Sequence, residues 1–270
     1  MSAKLKLALW YLKQPKLYPE LFRRVRRKVQ TLGVNHAEIK QQVAQWCEAQ
    51  AVDTRDAILQ LTGWTTFAPV AELFAEPLRA AQKRVERYTV ISGPGNLDLI
   101  YHLTEFLQAE RVVETGVAYG WSSLAFLLSL RRRPAARLIS TDLPYAFNQD
   151  QSYVGCVVPP ALRAQWQLLC GADREVLPSA LAQLRPIDLC HYDSDKSYEG
   201  RLWAYQQLWA ALRPGGIFIS DDVDDNWGFR DFCHCVAQPP LIVRSPATRG
   251  VKYVGVLVKP ASQMTQPGGR

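Results

Sequence analysis

From residue 90 onward, short runs rich in Val, Ile and Leu alternate with longer segments of helical periodicity. The runs predict parallel strands at 111–115, 137–142, 166–170, 187–192 and 216–220. The segments between them predict helices at 96–109, 121–131, 174–184 and 198–212. Two last runs, 241–244 and 253–259, flank a turn at Gly250 and predict an antiparallel hairpin. Together they predict an α/β fold with a doubly wound, mostly parallel sheet of seven strands.

Residues 1–90 lack strand-like alternation and predict a helical N-terminal extension, or lid, with a basic arm. Residues 91–260 then form the main domain and 261–270 a flexible tail. The clearest N-terminal helix lies between Pro19 and Gly33. Its apolar stripe consists of Leu21, Phe22, Val25, Val29 and Leu32, and basic residues fill much of the rest. Within residues 1–33, this helix could bind a membrane surface, contact nucleic acid, or pack on its own domain with the basic face in solvent.

The net charge of +7 belongs to this arm, because residues 1–30 hold nine Lys and Arg and a single acid, Glu20. The rest of the chain is close to neutral. No uncharged apolar run approaches the ~18 residues of a membrane span, and we expect no signal peptide. Six cysteines without C-x-x-C pairing predict reduced thiols, and therefore a cytoplasmic protein with a possible peripheral membrane contact.

A glycine turn follows the strand at 111–115. It reads Glu114-x-Gly116-x-x-x-Gly120, with Ser122 at the start of the next helix. A strand, a glycine turn and a helix in this order bring backbone amides close to a nucleotide-like ligand. The turn therefore predicts a site for a ligand that carries a nucleoside.

Acidic residues follow the next strands, whose carboxyl ends meet at the ligand-binding edge of such a sheet. Asp142 could accept hydrogen bonds from ribose hydroxyls, or it could cap the turn before Pro144. After the strand at 166–170, Ala172 and Asp173 lie where an adenine edge would be. Asp173 could instead cap the helix at 174–184.

The densest acidic group follows the strands at 187–192 and 216–220. It comprises Asp193, Asp195, Asp221 and Asp222, with Lys196 beside them. Carboxylates brought together without a neutralising partner repel strongly, and a divalent cation removes that repulsion. Oxygen ligands of this kind favour Mg²⁺, with Ca²⁺ or Mn²⁺ as alternatives. Helix capping by Asp193 or Asp195 is the structural alternative.

The glycine turn resembles the first motif of class I S-adenosylmethionine (SAM) methyltransferases, and Arg213-Pro-Gly-Gly216 is common across that class. The run 192–196 and the acidic pair at 221–222 resemble the metal-dependent O-methyltransferases of the catechol, caffeoyl-CoA and macrocin types. The resemblance covers about residues 90–260 and implies a Rossmann-like domain. It implies a SAM site, a metal site and a general base. The SAM site would comprise Glu114, Gly116, Gly120, Ser122, Asp142, Ala172, Asp173 and Asp193. Asp193, Asp221 and Asp222 would bind Mg²⁺ or another divalent cation, and Lys196 or Asp195 would be the base.

The expected function is therefore SAM-dependent, metal-dependent methylation of a hydroxyl on a small molecule, either a sugar-containing natural product or a phenol. Nucleic-acid methylation through the basic arm and a non-catalytic SAM-binding module at a membrane are the alternatives. Nucleic-acid methylation lacks the Asn/Asp-Pro-Pro-aromatic and Pro-Cys elements. An NAD-dependent dehydrogenase is disfavoured, because Ala118 interrupts the glycine pattern. A homo-oligomer is compatible with the sequence.

Overall fold

The computed structural model describes residues 10–11, 13–88, 93–143, 151–246 and 250–261. One sheet forms its centre, with the strand order β4-β3-β2-β5-β6-β8-β7-β1. The strands are β1 (Val52–Asp53), β2 (Arg111–Thr115), β3 (Arg137–Asp142), β4 (Trp166–Cys170), β5 (Ile187–Tyr192), β6 (Leu212–Ser220), β7 (Leu241–Pro246) and β8 (Val251–Val258).

Strands β2 to β6 pair in parallel, whereas β8 runs antiparallel to both β6 and β7. The central strand β5 is buried at every position, as expected of a parallel strand covered by helices on both faces. The predicted doubly wound, mostly parallel sheet with a closing antiparallel pair is therefore confirmed.

An eighth strand, β1, extends the predicted seven-stranded sheet. Val52 and Asp53 pair in parallel with Val243 and Arg244 of β7. The expectation of a purely helical N-terminal extension is wrong at these two residues. A strand of two residues is too short to produce an alternation of apolar and polar positions.

Helices cover both faces of the sheet. They are α1 (Tyr18–Gln30), α2 (His36–Glu48), α3 (Thr54–Thr62), α4 (Val70–Leu73), α5 (Ala75–Val85), α6 (Leu97–Phe106), α7 (Trp121–Leu130), α8 (Asp173–Leu184), α9 (Tyr198–Ala211) and α10 (Gly228–Cys235). Helices α3 to α7 share one apolar core, in which Ile58 and Val70 pack with Leu99 and Leu124. Helices α2, α8, α9 and α10 form the core of the other face. The N-terminal helices therefore contribute to the cores of the sheet on both faces. In the described part of the chain, no helix is both long and apolar enough to cross a membrane.

Helix α1 rests on the domain with its charged face inward. Arg23 donates to Glu175 at 2.6 Å, Arg26 donates to Glu199 at 2.6 Å, and Arg27 donates to the carboxylate of Asp195. The idea of a helix packed with its basic face in solvent is therefore wrong, because acids of the domain bind that face. The predicted tail lies outside the described residues from position 262 onward.

Candidate active site

The glycine turn lies where β2, β3 and β5 end together. The Gly116 amide donates to the Thr141 carbonyl at 2.8 Å, and the Asp193 amide donates to the Thr115 carbonyl at 2.8 Å. Gly116 has a φ of +81°, and a Cβ there would collide with the backbone carbonyl of Asp193. Gly120 has a φ of +88°, and a Cβ there would lie 2.9 Å from the Cα of Gly155. Both glycines are therefore required by close backbone contacts as well as by their left-handed conformation.

Glu114 lies beneath this turn and is fully buried. Its Oε2 accepts hydrogen bonds from the hydroxyls of Ser123, at 2.5 Å, and Ser140, at 2.6 Å. Its Oε1 lies 4.0 Å from Nδ1 of His191, and neither atom has a hydrogen-bond partner among the described residues. Burial raises the pKa of Glu114 to about 7 and lowers the pKa of His191 to about 4. This geometry lets Glu114 support the turn from below.

Asp142 shapes the turn from the side. One oxygen of its buried carboxylate accepts from the amides of Val117, at 2.8 Å, and Ala118, at 3.2 Å. Ala118 adopts a φ of +47°, a rare conformation for a residue other than glycine. Ser122, the other predicted residue here, is half-buried in the first turn of α7. Asp142 thus holds the loop in a fixed shape, and among the described residues no amide donates to its second oxygen.

Asp173 begins helix α8, directly after the buried Ala172. Its carboxylate accepts a short hydrogen bond from the hydroxyl of Ser194 and a longer one, 3.4 Å, from Thr141. Burial raises the pKa of Asp173 to about 6. The structure therefore joins Asp173 to the loop after β5.

The predicted acidic group assembles at the ends of β5 and β6. Carboxylate oxygens of Asp193, Asp221 and Asp222 all lie within 4.8 Å of one another. We call these three residues the aspartate cluster. Three half-buried carboxylates in this arrangement match the all-oxygen ligand set of a hard divalent cation. The donor set therefore fits the predicted metal.

Two lysines contact the aspartate cluster, which corrects the expectation that nothing neutralises it. The Nζ of Lys196 contacts the carboxylate of Asp193 and lies 2.9 Å from that of Asp222. Lys252, from β8, reaches the other oxygen of Asp222 at 2.7 Å. Burial disfavours the charge on Lys196, but the two aspartates outweigh it and raise the pKa of Lys196 well above its ordinary value. Burial and the neighbouring carboxylates raise the pKa of Asp221 to about 6.

Asp195 points to a different partner. Its carboxylate binds the guanidinium of Arg27 and accepts from the amide of Ser197 at 3.0 Å. Burial acts to raise the pKa of Asp195, but the contacts with Arg27 and Ser197 hold it below its ordinary value. The Nζ of Lys196, rather than the carboxylate of Asp195, faces the aspartate cluster.

A buried arginine that the sequence analysis did not single out supports the aspartate cluster. Arg201 of α9 is fully buried and donates to the carbonyls of Asp221, at 3.1 Å, and Asp222, at 2.7 Å. It also donates to the Tyr205 hydroxyl at 2.8 Å. Asp222 has a φ of +51°, so these bonds hold a turn that an aspartate rarely adopts. In the sequence, Arg201 lies near the start of the predicted helix, between Gly200 and Leu202. This setting was the available signal that its side chain is buried.

Comparisons with known proteins identify a domain family and similar folds. Residues 113–223 match the family model described as a methyltransferase domain. The solved structure of an O-methyltransferase from Bacillus cereus in complex with SAH has 15% identity and a TM-score of 0.51, covering 79% of this chain and 100% of the other. The O-methyltransferase TomG from Streptomyces achromogenes, involved in tomaymycin synthesis and in complex with SAM, has 19% identity and a TM-score of 0.52, covering 78% and 98%. No curated protein sequence matches the chain.

Proposed function

We propose that this chain, which has a methyltransferase domain of the class I SAM-dependent type, methylates a hydroxyl oxygen of a small molecule with the help of a divalent cation. The observation that carries the proposal is the position of the aspartate cluster beside the glycine turn. Gly116 packs against the backbone of Asp193, so a cofactor on the turn and a cation on the cluster would be neighbours. Sugar-containing natural products and phenols are the proposed acceptor classes, since both offer such hydroxyls.

SAM would supply the methyl group from its sulfonium centre. The loop from Gly116 to Gly120 would border it, and Ser122 stands at the N-terminus of α7. Asp142 would fix the shape of the turn with one carboxylate oxygen and offer the other to a ribose hydroxyl. The segment from Ala172 to Asp173 would border the adenine. Glu114 would act indirectly, by fixing the turn from below.

Asp193, Asp221 and Asp222 would hold Mg²⁺ or another divalent cation. Such an ion would supply Lewis-acid polarisation of the acceptor hydroxyl. Asp193 would also border the SAM site, because its backbone contacts the glycine turn. The aspartate cluster therefore lies where cofactor and acceptor would meet.

Lys196 is the proposed proton acceptor, because its Nζ lies among the carboxylates that would hold the acceptor hydroxyl. In the described arrangement these carboxylates keep it protonated. Lys196 can act as a base only when their negative charge is neutralised by another group. Asp195, bound to Arg27, would position the loop instead.

The chain would work in the cytoplasm, in keeping with six unpaired cysteines of which four are buried. Methylation of nucleic acid is less well supported, since Arg23, Arg26 and Arg27 of the basic arm bind acids of the domain itself. Those arginines are therefore not free to bind phosphates. The non-catalytic alternative does not explain why three carboxylates and a lysine converge.

Calorimetric titration tests the proposal, with SAM and Mg²⁺ added separately to the wild type, Asp222→Asn and Asp231→Asn. Asp231 is a matched control, since it binds Tyr198 and Arg230 away from the cluster. We expect SAM to bind all three proteins. Asp222→Asn alone should lose Mg²⁺ affinity, by about tenfold or more. Formation of SAH with a panel of catechols and glycosides should then require the metal.

The outcomes separate the parts of the proposal. If the wild type does not bind SAM, the assigned function is wrong. If SAM binds and EDTA leaves methyl transfer unchanged, the metal is wrong and the methyltransferase stands. If RNA is methylated and the small hydroxyl compounds are not, the acceptor class is wrong.

A further inference from the structure

Helix α1 is inverted relative to an ordinary surface helix. Its inward face is charged: Glu20 is only 5% exposed and accepts hydrogen bonds from Arg23 and Arg24. Arg23 and Arg27 continue from this face to acids of the domain. A helix on a globular protein normally places its apolar stripe toward the core. Here polar contacts fasten the helix, and the apolar stripe is left for another surface.

The outward face of α1 and the following turn is apolar and exposed. Phe22 is 71% exposed, Val25 54%, Val29 61% and Leu32 73%. We call these four residues the outer stripe. They recur at spacings of three and four residues, so they form one continuous ridge rather than scattered surface positions. A contiguous apolar surface of this kind marks a site of interaction, whereas single exposed apolar residues are normal.

We propose that the outer stripe inserts into the surface of an anionic lipid bilayer. Positive charge borders the stripe at Lys28, which is exposed. Lys13 and Lys16 precede the helix and are also exposed. The three lysines form no ion pair with any residue that the structure describes, so their charges are available to lipid headgroups. An apolar stripe beside exposed lysines matches the interfacial helices that lie in the plane of a membrane.

A second copy of the chain fits this surface less well. Helix α1 has 13 residues and is therefore only about 20 Å long. One stripe of four side chains provides less than the ~1,200 Å² of total buried area typical of a stable dimer. Two copies meeting stripe to stripe would also bring their exposed lysines together. Insertion of a stripe into a bilayer does not require the buried area of a stable dimer, and anionic headgroups complement the lysines.

Docking through the outer stripe would orient the whole domain. Arg27 binds Asp195, and Lys196 of the same loop contacts the aspartate cluster. The ion pair places the helix against the edge of the sheet that carries this cluster. A bilayer on the outer stripe would therefore hold that edge close to the membrane surface.

Vesicle flotation of the full chain tests the proposal, with phosphatidylcholine vesicles that either contain or lack phosphatidylglycerol. The test variant is Val25→Gln with Val29→Gln. Its matched control is Val251→Gln with Val258→Gln, two valines on β8 that are 47% and 41% exposed. We expect the wild type and the control to float with anionic vesicles only. The stripe variant should lose binding by about tenfold, because two inserted apolar side chains are removed.

Phe22→Gln provides a second stripe variant, and circular dichroism verifies that every variant folds. Lys28→Gln should weaken flotation by about fivefold and reduce its salt dependence. Absence of wild-type flotation would refute the proposal, as would equal losses in the stripe and control variants. A wild-type dimer in light scattering that Val25→Gln with Val29→Gln dissociates, without any flotation, would assign the stripe to a second copy instead. These results do not depend on methyl transfer.

Discussion

Replacing Gly116 by alanine tests how tightly the glycine turn is packed against the loop after β5. Gly116 has a left-handed φ of +81°, and an added Cβ would collide with the carbonyl carbon and oxygen of Asp193. Gly63, at the end of α3, has a similar φ of +71° but nothing within 4 Å of the position of its Cβ. Gly63→Ala therefore carries the conformational penalty alone, and Gly116→Ala carries that penalty plus the collision.

The two penalties can be estimated separately. A left-handed alanine costs about 1–2 kcal/mol in each variant. Forcing a methyl group into a filled space costs a further ~1–3 kcal/mol, because the backbone must shift. We therefore expect Gly63→Ala to lower the free energy of unfolding by about 1 kcal/mol and Gly116→Ala by about 3 kcal/mol. The shift would move Asp193, so Gly116→Ala should also weaken the binding of both SAM and Mg²⁺.

Urea unfolding measures the two free energies, and calorimetry measures SAM and Mg²⁺ binding in the same variants. Gly63→Ala should bind both ligands like the wild type, since α3 lies away from the turn. Equal destabilisation of the two variants would refute the reasoning, because the collision would then cost nothing. Normal Mg²⁺ binding by a destabilised Gly116→Ala would show that the turn and the aspartate cluster are not mechanically coupled.

Four further predictions follow from the buried and charged groups. The pKa of Glu114 is raised to about 7, so this carboxyl stabilises the fold most at low pH and loses that contribution as the pH rises. The free energy of unfolding of Glu114→Gln should therefore increase relative to that of the wild type, by up to about 1.4 kcal/mol per pH unit between about pH 5 and 7. Parallel plots of the two unfolding free energies against pH would contradict this. Arg201→Met should lower the free energy of unfolding in urea by about 3 kcal/mol and weaken Mg²⁺ binding, because it leaves buried carbonyls without donors. A loss below about 1 kcal/mol would refute the supporting role of Arg201. Lys252→Met removes a competing cation and should strengthen Mg²⁺ binding roughly tenfold in calorimetry, whereas Lys83→Met, at an exposed lysine of α5, should not. At pH 8, where the aspartates are largely ionised, Mg²⁺ binding should release more protons from the wild type than from Lys196→Met, which titrations in buffers of different ionisation enthalpy detect.

The sheet could be predicted from the sequence because its strands are short, buried and sharply bounded. The strands predicted at 111–115 and 187–192 have the bounds that the structure shows, because each is rich in apolar residues and ends where a turn begins. The predicted resemblance to class I SAM methyltransferases is confirmed by the domain match at 113–223 and by the fold of the O-methyltransferase structures. The convergence of Asp193 with Asp221 and Asp222 followed from topology, because strands that pair in parallel end at the same edge.

The orientation of α1 could not be predicted in the same way. Helical periodicity shows that Phe22 and Val25 share a face, but it does not say which face meets the domain. That choice depends on Glu175, Glu199 and Asp195, which lie more than 150 residues further along the chain. Pattern analysis assumes that apolar faces turn inward, and three long-range ion pairs reverse that assumption here.

The lysines change what charge counting alone can say about the aspartate cluster. Three carboxylates facing a divalent cation would retain one negative charge, as the sequence implies. With Lys196 and Lys252 included, the group is already close to neutral, with a formal charge of −1. A divalent cation would change this to +1, and loss of one proton from Lys196 would then make the group neutral. The carboxylates that raise the pKa of Lys196 are the same ones that would bind the metal. Cation binding and the basicity of Lys196 would therefore be coupled, so a proton acceptor would form only when the proposed site is complete.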